Sequence, residues 1–180
     1  DKKIPCTIRR ETMVRLTEQL AECYHNIEAS VILGNGGGSF GHYYAKTYRL
    51  TESFLDETKI IGMCMGKVSN AYLNLELVRC LLKHQIPSST FNVEQLMMQD
   101  FMESRFLFNI EHKILPVVYG DIVYDYNGKC RIISTEQIFL RIGKSIARIS
   151  SAEYSLEKII LCTDRDGIED SEGSVIPLIR

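Results

Sequence analysis

Residues 31–42 read Val-Ile-Leu-Gly-Asn-Gly-Gly-Gly-Ser-Phe-Gly-His, with five glycines inside eight positions and His42 closing the run. Glycines this dense allow positive φ and let backbone N–H groups come close to a ligand. Amides turned inward form a concavity for an anion, and a helix beginning at the far end adds the positive pole of its dipole. His42 at the rim supplies a side-chain donor that strengthens on protonation. The chemistry this favours is the gripping of a phosphate. A plain tight turn is the alternative, but five glycines and a histidine exceed what one turn needs.

Other motifs are weaker. Gly36, Gly38 and Gly41 satisfy G-x-G-x-x-G. A dinucleotide site would also need an acid at the end of a second strand about twenty residues on. Asp56 and Glu57 stand near that distance, behind polar residues that do not read as strand. Gly143-Lys144-Ser145 resembles the end of a P-loop, but Ile138 occupies the place of its first glycine. Asp164-Arg165-Asp166-Gly167 fails as a calcium loop, because Cys162 and Gly173 stand where acids belong. It reads either as a β-turn or as a nucleotide contact at a strand end through Thr163 and Asp164. His25, His84 and His112 read as solvated, and the methionines as core or pocket lining.

The chain has 180 residues and a formal charge of −2, which suits one globular domain over residues 1–180. No basic excess points to nucleic acid or to an anionic membrane surface. No apolar stretch approaches membrane-spanning length, and the start is not a signal peptide. Six scattered cysteines without a C-x-x-C pair read as reduced core residues, with no metal site, and imply the cytoplasm. Asp1 stands beside two lysines with no strand before them, and Arg180 follows an apolar run. The chain is therefore expected to continue at both ends.

The positioning elements follow from periodicity. Helices are predicted over residues 9–26, 40–48, 68–84, 94–109 and 135–148, and a loop over 50–58. Strands are predicted over residues 30–33, 88–93, 114–119 and 158–163. Asn127-Gly128 between β-prone runs predicts a type I′ hairpin in residues 121–134. Helices alternating with buried-type strands imply an α/β fold, a three-layer αβα sandwich with a mostly parallel central sheet and a β-hairpin. Ligands bind such sheets at the carboxyl ends of the strands, so the glycine run, Gly120-Asp121 and residues 164–167 should gather on one edge.

Gly36-Gly37-Gly38-Ser39-Phe40-Gly41-His42 with Ala45-Lys46 resembles the substrate loop of isopentenyl phosphate kinases, in the amino acid kinase superfamily. Residues 116–123 (Pro-Val-Val-Tyr-Gly-Asp-Ile-Val) and 163–168 (Thr-Asp-Arg-Asp-Gly-Ile) resemble two further blocks of that family. Asp1-Lys2 resembles the end of its opening motif, and order and approximate spacing agree across the chain. The resemblance implies transfer of the γ-phosphoryl of ATP, with Mg²⁺, to isopentenyl phosphate, and a homodimer. It implies that His42, Gly37, Gly38 and Thr135 hold the acceptor, and that Lys2, His42 and Glu136 act in catalysis. Ser39, Thr163, Asp164 and Gly167 would face the nucleotide, and Ile61, Met63 and Met65 the isoprenoid tail.

Departures are specific. Asn35 stands where the family commonly has histidine, and Ser134-Thr135-Glu136-Gln137 replaces a Ser-Gly-Asp-Gln pattern. Arg165 and Glu169 replace a typical valine and tyrosine. The family's Lys-Leu-Gly-Gly-Ser and Asp-Val-Thr-Gly-Gly blocks are not present in these residues. A related enzyme with another small acceptor, or a ligand-binding member with weakened catalysis, are the competing expectations.

Overall fold

The computed structural model describes residues 4–51, 56–97, 106–148, 154–162, 167–168 and 170–176. Three parallel strands, β1 (Leu33–Asn35), β2 (Ser88–Phe91) and β3 (Leu115–Tyr119), pair in the order β1-β3-β2. All of β3 is buried, as expected of a central strand covered on both faces. Alternation along β3 divides the core. Leu115 and Val117 pack against Val78, Leu81 and Ile86 on one face. Val118 packs with Phe91, Phe106, Ile138 and Ile142 on the other.

Helices α1 (Arg10–Tyr24) and α3 (Glu57–Lys83) cover the first face. The second carries α4 (Val93–Met97), α5 (Leu107–Glu111) and α6 (Thr135–Arg148). The architecture is thus the αβα sandwich read from the sequence. Beside it, β4 (Asp121–Tyr124) and β5 (Cys130–Ile133) form an antiparallel hairpin, seated on α3 through Met63, Ile122 and Cys130.

The long helix α3 begins eleven residues before its predicted start, at Glu57, inside the segment read as loop. Asp56 caps it, its carboxylate accepting from the Lys59 amide at 2.8 Å. Its buried residues Gly62, Gly66, Asn70, Asn74 and Val78 recur every four positions. Two glycines and two asparagines carry no hydrophobic signal, so the periodicity becomes visible only near the C-terminus. Gly62 and Gly66 admit α2 (Gly38–Thr47) at close range: a Cβ on Gly62 would fall 2.1 Å from the Tyr48 side chain.

Several other boundaries differ from expectation. The strand expected at residues 30–33 is β1, displaced to Leu33–Asn35. The helix expected over 94–109 is α4 and α5, with residues 98–105 outside the described set. Residues 158–162 form no strand; they have no ladder partner among the described residues and leave Ile160 72% exposed. The hairpin turn is not type I′, which needs two left-handed residues. Only Gly128 has positive φ (76°), and the Asp125 carboxylate accepts from the amides of Asn127 and Lys129. The cysteines are free, but only Cys130 is buried, while Cys23, Cys64 and Cys162 are exposed.

Three helix ends share a device the sequence hides. After α2, α3 and α5 the chain turns through Arg49, Gln85 and Lys113 at φ of 49°, 61° and 54°. In each, the amide of the next residue, Leu50, Ile86 or Ile114, reaches back to the carbonyl five residues earlier. These are Schellman closures with an apolar residue sealing them, built without the usual glycine.

Candidate active site

Asn35 at the end of β1 lies in register with Tyr119 at the end of β3, so the carboxyl ends of the two strands are neighbours. The glycine run leaves β1 there and becomes the first turn of α2, with Gly38 at φ 51°. The Gly37 carbonyl accepts from the amides of Phe40 (2.9 Å) and Gly41 (3.4 Å). The amides of Gly38 and Ser39 precede these first helical bonds, at the positive end of the helix. The glycines divide into two kinds. A Cβ on Gly36 or Gly38 would meet nothing within 4 Å, so this side of the turn is open. A Cβ on Gly37 or Gly41 would fall 2.8 Å from Oδ1 of Asn70.

Under the turn lies a polar network, largely buried, drawn from five elements. Asn74 Nδ2 donates to Asn35 Oδ1 at 2.9 Å, and the Thr90 hydroxyl, from β2, donates to Asn74 Oδ1. Asn70 Nδ2 donates to Asp121 Oδ1 at 3.0 Å. Lys67 donates to Asp121 Oδ2 (3.2 Å), the Ile122 carbonyl (3.0 Å) and Glu94 Oε1 (2.8 Å). Burial alone would lower the Lys67 pKa, but Glu94 and Asp121 outweigh it and hold it above the ordinary lysine value. Burial, with the Asp121 charge added, also raises the Tyr119 phenol. Among the described residues Asn35 Nδ2, Ser39 Oγ and Asn70 Oδ1 are buried without a hydrogen-bond partner. Buried orphans are rare in folded proteins, and two of these, Asn35 Nδ2 and Ser39 Oγ, are donors that lack an acceptor.

The sequence-predicted residues fall as follows. Gly37, Gly38 and Ser39 form the turn and first helical residues, and His42 is exposed one turn further along α2. Thr135, the first residue of α6, is buried and tied to backbone: it donates to the Asn35 carbonyl (2.8 Å) and accepts from the Gly120 amide (3.1 Å). Glu136 is exposed beside it. Gly167 packs against Val175 in a separate loop. Lys2, Thr163 and Asp164 lie outside the described residues.

Sequence reasoning passed over Lys67, Asn70, Asn74 and Thr90, and took Asp121 only as a strand-end residue. The available signal was Asn70 and Asn74 continuing the four-residue spacing of Gly62 and Gly66 on a helix those residues do not favour. Among the described residues no group of three or more His, Cys, Asp or Glu is placed to hold a metal ion. Asp121 is already engaged by Lys67 and Asn70.

The profile of the amino acid kinase family matches residues 6–180. The chain belongs to the amino acid kinase family. Among curated members it is 28% identical over 182 residues to the isopentenyl phosphate kinase of Methanocaldococcus jannaschii, covering 93% of this chain and 66% of that protein. It is 26% identical to the enzyme of the same name from Methanothermobacter thermautotrophicus (89% and 61% covered) and 28% identical to that of Arabidopsis thaliana (79% and 43%). An isopentenyl phosphate kinase solved by X-ray crystallography superposes with a TM-score of 0.72 at 25% identity, over 90% of this chain and 66% of that one. A substrate complex of such an enzyme superposes at 0.69 with 22% identity, over 80% and 60%, and shares the fold. This amino acid kinase chain thus spans just under two thirds of the first of these relatives, and less of the others. None of its described helices is long and apolar enough to cross a membrane.

Proposed function

We propose that this chain is the acceptor-binding part of a small-molecule kinase that transfers the γ-phosphoryl of ATP to isopentenyl phosphate, giving isopentenyl diphosphate. One observation carries the reading. The glycine turn entering α2 is open at Gly36 and Gly38 at the edge of a parallel sheet, and among the described residues the amides of Gly38 and Ser39 and the buried Ser39 hydroxyl have no partner. An anion's oxygens supply what those donors lack. Similarity to three proteins named isopentenyl phosphate kinase supports the choice of acceptor.

Phosphoryl transfer asks the protein for position and charge compensation rather than covalent help. In this reading the α2 amides at Gly37 and Gly38 and the His42 imidazole hold the acceptor phosphate. Ser39 faces the donor phosphates, with Thr163, Asp164 and Gly167 beside the nucleotide. Lys2 offsets charge between the two, and Glu136 takes the place of the acid that arranges such lysines. Magnesium supplies charge neutralisation on ATP when bound. A homodimer belongs to the same reading. Ile61, Met65, Val68, Tyr72 and Leu75 are exposed along α3 at alternating four- and three-residue steps, with Leu82 a further heptad on, a spacing that suits packing against the same helix of a second copy.

The test is incubation of the full-length protein with ATP, Mg²⁺ and a panel of acceptors, followed by ³¹P NMR. Isopentenyl phosphate should yield the diphosphate, and His42→Ala should cost about 1.5–3 kcal/mol in acceptor use, as for a lost charge-assisted hydrogen bond. Turnover of a carboxylate or carbamate acceptor in preference to any phosphate would overturn the assignment. Binding of nucleotide or phosphate without turnover would leave a ligand-binding member.

A further inference from the structure

We propose that Asn70 is a positioning residue for the phosphate-gripping turn, locked in place by Asp121 and Lys67; this rests on the acceptor-site reading above. Asn70 is 3% exposed in the middle of α3, on a line whose other members pack against α2 or the sheet. An ionised Asp121 only accepts, so the Asn70 NH₂ must face it and the Asn70 carbonyl must face the other way. That carbonyl points at the glycine turn: Oδ1 lies 2.8 Å from the Cβ positions of both Gly37 and Gly41. Each glycine therefore turns a Cα hydrogen toward one oxygen, a weak but directional pair of contacts. Gly37 and Gly41 bracket the residues whose amides are free, so the oxygen acts as a fulcrum that sets their height and tilt.

The lock behind it is rigid. Asp121 is 4% exposed and has both oxygens engaged, one by Asn70 and one by Lys67. Lys67 is held in turn by the Ile122 carbonyl and by Glu94. Fit to the glycine turn, and not core filling, accounts for an amide at this position. An aliphatic residue there would leave an Asp121 oxygen short of a partner and the turn without its stop.

The experiment compares wild type, Asn70→Ala and Asp121→Asn. It follows amide shifts at residues 36–42 on addition of inorganic pyrophosphate, and KM and kcat with isopentenyl phosphate. The expected result for Asn70→Ala is weakening of both pyrophosphate binding and acceptor KM by tenfold or more, with kcat within threefold and a cooperative melt retained. Asp121→Asn, which keeps the shape and loses the charge, should raise acceptor KM three- to tenfold. It decides the matter if Asn70→Ala does not fold. If wild type binds pyrophosphate through this turn but turns over no acceptor, the kinase reading falls while Asn70 is still judged by the shifts. Unchanged shifts and KM in both variants, or a wild-type turn that binds no pyrophosphate, overturn the proposal.

Discussion

Replacing Thr135 by valine isolates the joint between sheet and α6. The threonine hydroxyl spends its proton on the Asn35 carbonyl at 2.8 Å and accepts from the Gly120 amide at 3.1 Å, in a side chain only 6% exposed. Valine has the same shape, so no cavity opens and the loss is confined to two hydrogen bonds. Each buried backbone group left without a partner costs about 1–3 kcal/mol, and the pair about 2–6 kcal/mol. For a domain of this size that corresponds to a fall in Tm of roughly 4–24 °C. Thr135→Ser keeps the hydroxyl and loses one methyl, which costs about 1 kcal/mol. Urea unfolding followed by circular dichroism, with an unchanged m-value, reads the difference directly. A valine variant within about 0.5 kcal/mol of wild type, or a serine variant as damaged as the valine one, would refute the assignment of the hydroxyl to this joint.

Gln85→Gly, at the left-handed residue closing α3, should stabilise the fold by about 0.5–1 kcal/mol in the same assay, the relief of Cβ strain offset by glycine's larger unfolded entropy. Destabilisation there would mean the side chain does more than occupy the turn. The Lys67 and Tyr119 pKa values are both raised, so each group contributes stability below its ordinary value (10.5 and 10.0) and loses it as pH climbs through the folded one. Tm should hold steady through neutrality and fall above about pH 10, with Tyr119→Phe flattening that limb; a rise in Tm across the window would contradict the sign. Val68→Asp, at a position 69% exposed on the α3 stripe, should convert a dimer to a monomer by light scattering while leaving the melt cooperative. An unchanged dimer mass would place the interface elsewhere.

The layers were legible because their signal is apolar. β3 is an unbroken buried run, and α6 repeats Ile138, Ile142 and Ile146 at one-turn spacing, so its bounds match those expected. The glycine turn was legible as a possible anion site because five glycines are chemically unusual. What escaped was written in residues with two meanings. Gly62, Gly66, Asn70 and Asn74 disfavour a helix locally, yet the fold needs them small or polar where α3 meets α2 and the strand ends. Arg49, Gln85 and Lys113 end helices from a conformation that their type does not announce. Thr135 was assigned to a ligand because it adjoins a family block, while its hydroxyl is committed to backbone 15 and 100 residues away in sequence.

The glycine turn owes little of its geometry to the sheet itself. β1 is three residues long, and its ladder with β3 ends at Asn35, one residue before the turn begins. A strand end so short would fray if backbone pairing were its only restraint. Side chains from other elements hold it instead: Asn74 of α3 takes the Asn35 amide oxygen, and Thr135 of α6 takes the Asn35 carbonyl. Asn70, one turn before Asn74 on α3, meets the glycines beyond. The two helical layers thus grip one strand end from opposite faces of the sheet, and a shift in either moves the amides at Gly38 and Ser39. Mutations at Asn70 and Asn74 of α3, beneath the turn, should therefore register in anion binding as well as in stability.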